Sequence, residues 1–250
     1  MAATQHAALV AMTSQRETTM GERSTITTPD GTFAAYVARP SRSPAPAVVV
    51  IQEIFGVNQV MRDVTDALAS EGFLAICPDL FWRIEPGIDI TDHSEAEWKR
   101  AFELFNAFDV DKGVEDIAAT IDQIRADPGC SGKVGAVGFC LGGLLAFLTA
   151  TRTDANASVA YYGVGIEGRV AEAEKLANPL LMHIAEEDQF VPKAAQEVIL
   201  KALKDHPQIE IHTYPGRDHA FARAGGDHYN AADAKLAGGR TLAFFKKNLG

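Results

Sequence analysis

Apolar residues fall along this chain in short dense runs separated by stretches of helical spacing, and the two alternate from about residue 24 to the end. Residues 47–51, 73–77, 133–137, 157–162 and 179–184 are the runs, most of them rich in Val, Ile and Leu. The run at 47–51 is continuously apolar, as expected of a central parallel strand covered on both faces. Between the runs, Val60, Val64, Ala67 and Leu68 keep helical spacing, as do Val114, Ile117, Ala118, Ile121 and Ile124. Further helices are predicted from residue 143 onward, over 194–203 and over 231–248, the last interrupted by Gly238-Gly239. Near the start, residues 25–28 and 32–37 flank Pro29-Asp30-Gly31, so they read as a hairpin. Residues 209–214 alternate as a strand with one polar face does. The repeated alternation predicts an α/β fold, a mostly parallel sheet with helices on both faces.

Length adds that one domain over residues 21–250 suits the pattern better than two small ones. Residues 1–20 read as a flexible N-terminal extension. Their longest apolar stretch, 7–12, has no positive segment before it and makes a poor signal peptide, and Met20 stands where ordered patterning begins. No apolar run reaches membrane-spanning length. The formal net charge of −10 argues against nucleic acid or an anionic membrane as partner. A small anionic substrate then needs local cations. Cys77, Cys130 and Cys140 share no C-x-x-C spacing, so neither a zinc site nor a disulfide framework is expected. A free thiol suits a reducing cytoplasm. A monomer without metal or organic cofactor is the expectation.

Chemistry enters at Gly138-Phe139-Cys140-Leu141-Gly142, which fits the pattern Gly-x-nucleophile-x-Gly with a cysteine in the usual place of a serine. A predicted strand precedes it and a predicted apolar helix follows. That context puts the side chain on a tight turn, with a helix N-terminus aimed at the sulfur. The alternative is a glycine-rich turn that happens to hold a buried cysteine. A nucleophilic thiol needs a base, and the base needs an orienting acid. Asp188 lies just past the run at 179–184, and His219 just past 209–214, so the order nucleophile, acid, base is met at the carboxyl edge of the sheet. Glu186, Glu187, Asp218 and His183 are rivals by proximity, and the acidic run also reads as a solvated, helix-capping loop.

Residues 52–58, directly after the central run, normally supply one oxyanion-hole N–H in such a fold, here Ile54; Leu141 supplies the other. Glu53 falls close to Cys140, where an unpaired carboxylate is costly. Arg83, after the next strand, is expected to pair with it. The bland readings are a surface glutamate and a surface arginine.

The stretches 52–58, 77–83, 138–143, 161–165, 188–192 and 219–223 occur in one order over residues 21–250, and together they resemble the dienelactone hydrolase family (carboxymethylenebutenolidases). The resemblance implies an α/β-hydrolase fold and a Cys140–His219–Asp188 triad. It implies a substrate carboxylate held by Arg83 and Arg223, with Tyr162 and Trp82 at the pocket. It also implies a gate: Glu53 is held by Arg83 until the substrate carboxylate engages that arginine, and the freed Glu53 then takes the thiol proton. One departure is Ala220, where members of the family carry a serine that helps hold the carboxylate. The expected function is a cytoplasmic hydrolase of carboxylate-bearing unsaturated lactones, as in catechol breakdown. Alternatives are a broader carboxylesterase or thioesterase of the same fold and a non-catalytic binding protein that retains it.

Overall fold

The structure is a computed structural model that describes residues 21–250. The expectation for residues 1–20 lies outside the described residues. Eight strands form one sheet in the order β1-β2-β4-β3-β5-β6-β7-β8. The hairpin β1 (Glu22–Thr28) and β2 (Gly31–Ala38) turns at Pro29-Asp30-Gly31 and is antiparallel within itself and to β4 (Leu74–Pro78). From β4 across β3 (Ala45–Ile51), β5 (Cys130–Phe139), β6 (Ala157–Tyr161), β7 (Leu180–Ala185) and β8 (Ile209–Tyr214), every pairing is parallel. The chain leaves β3 for β4 on one side and later returns to β5 on the other. Strand order therefore reverses at β3, where open α/β sheets form a crevice at their carboxyl ends.

Among the described residues six α-helices accompany the sheet: α1 (Gln59–Ser70), α2 (Glu95–Ala107), α3 (Val110–Arg125), α4 (Leu141–Arg152), α5 (Lys193–Leu203) and α6 (Ala231–Leu249). Strand β5 is covered by α3 and α4, and also by Phe245 and Leu249 of α6 against Gly135. Its inner residues are accordingly buried without alternation, and the continuous apolar runs in the sequence have this cause. Helix α4 is buried from Leu141 to Thr151, which explains its apolar character all round. Helix α6 runs through Gly238-Gly239 unbroken; Ala234, Ala237, Gly238 and Thr241 keep one buried face in register across the glycines.

Helix α2 has no counterpart among the sequence predictions. Ser94 accepts from the N–H of Glu97 (3.3 Å) and donates to the Glu97 carboxylate (2.8 Å), a side-chain N-cap in the Ser-x-x-Glu sequence pattern of a capping box. No helix among the described residues is long and apolar enough to cross a membrane.

Candidate active site

The turn after β5 is tightened by what glycine leaves out. A Cβ on Gly142 would sit 2.5 Å from the carbonyl oxygen of Gln52 and closer still to that of Ile51, and one on Gly138 would overlap the carbonyl of Gly142. Helix α4 can therefore start against the end of β3 only with glycine there. Cys140 caps α4 at φ 58°, ψ −117°, a left-handed backbone that L side chains rarely adopt. Cys140 is 9 % exposed and lines a cavity that opens to solvent.

His219 shares that cavity. Its Nδ1 lies 2.9 and 3.0 Å from the two carboxylate oxygens of Asp188. Asp188 is itself fixed, since its Oδ1 accepts from the N–H groups of Phe190 (2.8 Å) and Val191 (3.1 Å). The rings of Tyr162 and Phe190 meet the imidazole edge-on at 5.1 and 4.8 Å. These contacts leave Nε2 buried with no hydrogen-bond partner. Burial alone disfavours the charged ring, but beside an ionised Cys140 that charge and the hydrogen bond to Asp188 outweigh it, and the His219 pKa is pushed up to about 10. Removing Cys140 removes the leading cause of the rise. In Cys140→Ala, a ring-nitrogen NMR titration is expected to find His219 losing its proton at lower pH than in the unaltered protein; an unchanged midpoint contradicts the coupling.

The rivals fall elsewhere. Glu187 pairs with Lys193 at 2.9 Å. Asp218 accepts from the N–H groups of Gln189 and His219. His183 is buried between Tyr214 (2.8 Å) and Thr241 (3.1 Å), and burial holds its pKa well below the usual value.

Glu53 is 2 % exposed, and its partner differs from the one expected. Its Oε2 meets Nη1 of Arg223 at 3.3 Å, while its Oε1 is buried without a partner. Arg83 instead grips Asp116 of α3 through Nε (3.0 Å) and Nη2 (2.8 Å), and Asp30 of the hairpin turn through Nη1 (2.9 Å). Trp82 donates its indole N–H to the same Asp116 at 2.8 Å and stacks on Phe33. The expectation that Arg83 and Trp82 belong to the pocket is thus corrected. After β4 the chain curls, with Ile84 N–H returning to Phe81 O, and both side chains leave toward α3, where the buried Asp116 requires a cation.

Ile54 lines the cavity, and Leu141 opens α4, where the first N–H groups have no intrahelical acceptor. Tyr162, at φ 36°, is buried behind His219. Ala220 is also left-handed, at φ 61°. The cavity's remaining walls were missed from the sequence: Phe55, Val164 and Phe190, and, from α2, Trp98, Phe102 and Phe105. Phe102 and Phe190 are the half-exposed ones, and their rings meet 6.4 Å apart at the mouth. A second missed residue is Asp92, whose Oδ2 lies 2.7 Å from Nη2 of Arg223. The capping box at Ser94, and apolar residues at 98, 101, 102, 104 and 105, are the sequence signals that would have placed α2.

The family model for the dienelactone hydrolase family matches residues 33–249. The chain belongs to the dienelactone hydrolase family. It is 55 % identical over 225 residues to an Azospirillum brasilense protein named "Putative carboxymethylenebutenolidase", covering 88 % of this chain and 96 % of that one. It is 40 % identical over 213 residues to a Pseudomonas putida carboxymethylenebutenolidase, covering 85 % and 90 %. The crystal structure titled as a putative dienelactone hydrolase from Klebsiella pneumoniae superposes with a TM-score of 0.80 at 30 % identity, over 91 % of this chain and 98 % of that one. Dienelactone hydrolases are α/β-hydrolases that act on ester bonds, and the sheet described above is the α/β-hydrolase sheet.

Proposed function

We propose that this protein opens carboxylate-bearing unsaturated lactones of the dienelactone type, with Cys140 as nucleophile, His219 as base and Asp188 as its orienting acid. The observation that carries the reading is the company Cys140 keeps. One cavity joins it to an Asp-backed imidazole and to the guanidinium of Arg223, whose Nε, like Oε1 of Glu53, is buried without a partner. Unsatisfied buried polar atoms at a cavity wall are positions a ligand completes.

In this reading the substrate carboxylate engages Arg223, which replaces Arg83 as the holder of Glu53. The guanidinium turns toward the substrate carboxylate, so Glu53 on Nη1 loses its partner and takes the Cys140 thiol proton. The thiolate attacks the lactone carbonyl, with the Ile54 and Leu141 N–H groups receiving the oxyanion. The ring C–O bond breaks, the enolate oxygen takes the proton back from Glu53, and a thioester remains. With Cys140 held as an uncharged thioester, the neutral His219 ring, oriented by Asp188 at Nδ1, accepts a proton from water at Nε2. Hydroxide adds to the thioester, the thiolate departs, and the His219 proton restores the thiol.

The test is Arg223→Gln assayed on a carboxylate-bearing lactone and on a neutral aryl ester. Loss of a charged hydrogen-bond partner is worth about 1.5–3 kcal/mol, so kcat/KM for the anionic substrate is expected to fall roughly 10–100-fold. The neutral ester is expected to fall far less. Equal losses on both overturn the carboxylate reading. A broader carboxylesterase reading has one observation behind it: Arg223 already faces two carboxylates, Glu53 and Asp92, inside largely apolar walls.

A further inference from the structure

We propose that Asp92 is a specificity-determining residue, a built-in carboxylate that holds the edge of Arg223 an anionic substrate would use. The proposal rests on the reading of Cys140 and Arg223 given above. A guanidinium receives a carboxylate best as a fork, two parallel N–H···O bonds from neighbouring nitrogens. Of the three nitrogens of Arg223, Nη1 faces Glu53 at 3.3 Å and Nη2 faces Asp92 at 2.7 Å, while Nε has no partner. The Nε–Nη2 edge is therefore half taken. A substrate carboxylate gains the full fork only by moving Asp92 aside.

Asp92 is set in place by the fold. Its carbonyl accepts from the indole N–H of Trp98 at 2.9 Å, and Trp98 is a wall of the same cavity. The preceding residue, Thr91, donates its N–H to Glu97 at 2.9 Å, and Ile90 N–H donates to Phe55 O at 3.1 Å. Backbone movement is thus opposed from α2 and from the loop after β3. The side chain alone can turn, and the exposed His93 stands 3.6 Å from its other oxygen. Electrostatics point the same way. Two carboxylates around one guanidinium leave the pocket wall with an excess negative charge, which opposes a third and leaves a neutral substrate unaffected.

The consequence is a ratio. Asp92 lowers the preference of the cavity for anionic over neutral substrates of the same shape. The experiment compares a carboxylate-bearing unsaturated lactone with the same lactone capped as its primary amide, for the unaltered protein, Asp92→Asn, Asp92→Ala and Asp89→Asn. Asp89 sits on the same loop but pairs with Arg62 at 2.7 Å, away from the cavity, and serves as the control. In both Asp92 variants kcat/KM for the anionic lactone is expected to rise about tenfold, mostly through KM, with the amide within about twofold and Asp89→Asn unchanged. A ratio that stays constant, or moves against the anion, overturns the inference. Cys140→Ala is run beside them. If it keeps its activity, the reading of the nucleophile fails whatever Asp92 does. If it is inactive and the ratio does not move, the inference about Asp92 alone fails.

Discussion

Cys140→Ala is expected to lower kcat/KM by about six orders of magnitude for every ester or lactone the protein turns over, with its melting temperature nearly unchanged. Two considerations set the size. In the proposed mechanism the side chain supplies the bond that splits hydrolysis into two steps, and removing a nucleophile typically leaves only what binding and oxyanion donors contribute. The fold is spared because alanine has the same Cβ as cysteine at φ 58°, so the backbone strain of the turn does not change. Cys140 lines the cavity wall, so loss of its sulfur enlarges existing space and opens no new hole. Steady-state rates with a thermal melt on the same preparation check both halves. Substantial residual hydrolysis that persists at high purity removes Cys140 from the chemistry.

Gly142→Ala is expected to act on the opposite quantity. Its Cβ would run into the carbonyls of Ile51 and Gln52, which belong to the end of the central strand and to the loop carrying Glu53 and Ile54. Neither carbonyl is the free end of a flexible side chain, so α4 or β3 has to shift. Overpacking of this kind destabilises by about 3 kcal/mol, equivalent to roughly 6–12 °C in Tm for a chain of this size. Gly168→Ala, which meets nothing within 4 Å, is the matched control and is expected to melt within about 1 °C of the unaltered protein. If Gly142→Ala melts with that control, the close approach of α4 to β3 is wrong.

The sequence was most readable where one local cause decides the structure. The β-branched run at β3 and the Leu-rich run at β7 are buried on both faces, and no other placement suits them. The glycines at 138 and 142 announce a turn that only glycine permits. Asp188 and His219 follow strands, and strand ends gather at one edge. Arg83 also follows a strand, yet it left the site. What decided its direction was a curl of the chain at Phe81–Ile84 and a buried Asp116 on a helix 33 residues away. The guanidinium that meets Glu53 comes from 170 residues along the chain, and no local pattern encodes that pairing. Helix α2 was readable in principle, through its capping box and the spacing of Trp98, Ala101, Phe102 and Phe105. Its weight in the site, as the aromatic wall and the anchor of Asp92, shows only once the cavity is closed around it.

The meeting of Phe102 and Phe190 at the cavity mouth bears on time rather than on shape. Both rings are more than a third exposed, and no hydrogen bond can hold either in place. Exposed side chains change rotamer in picoseconds to nanoseconds. A substrate that needs only these two rings to part finds the entrance open on a scale far shorter than the roughly 0.1 s of a median enzyme turnover. Admission through this mouth then calls for no displaced loop or domain.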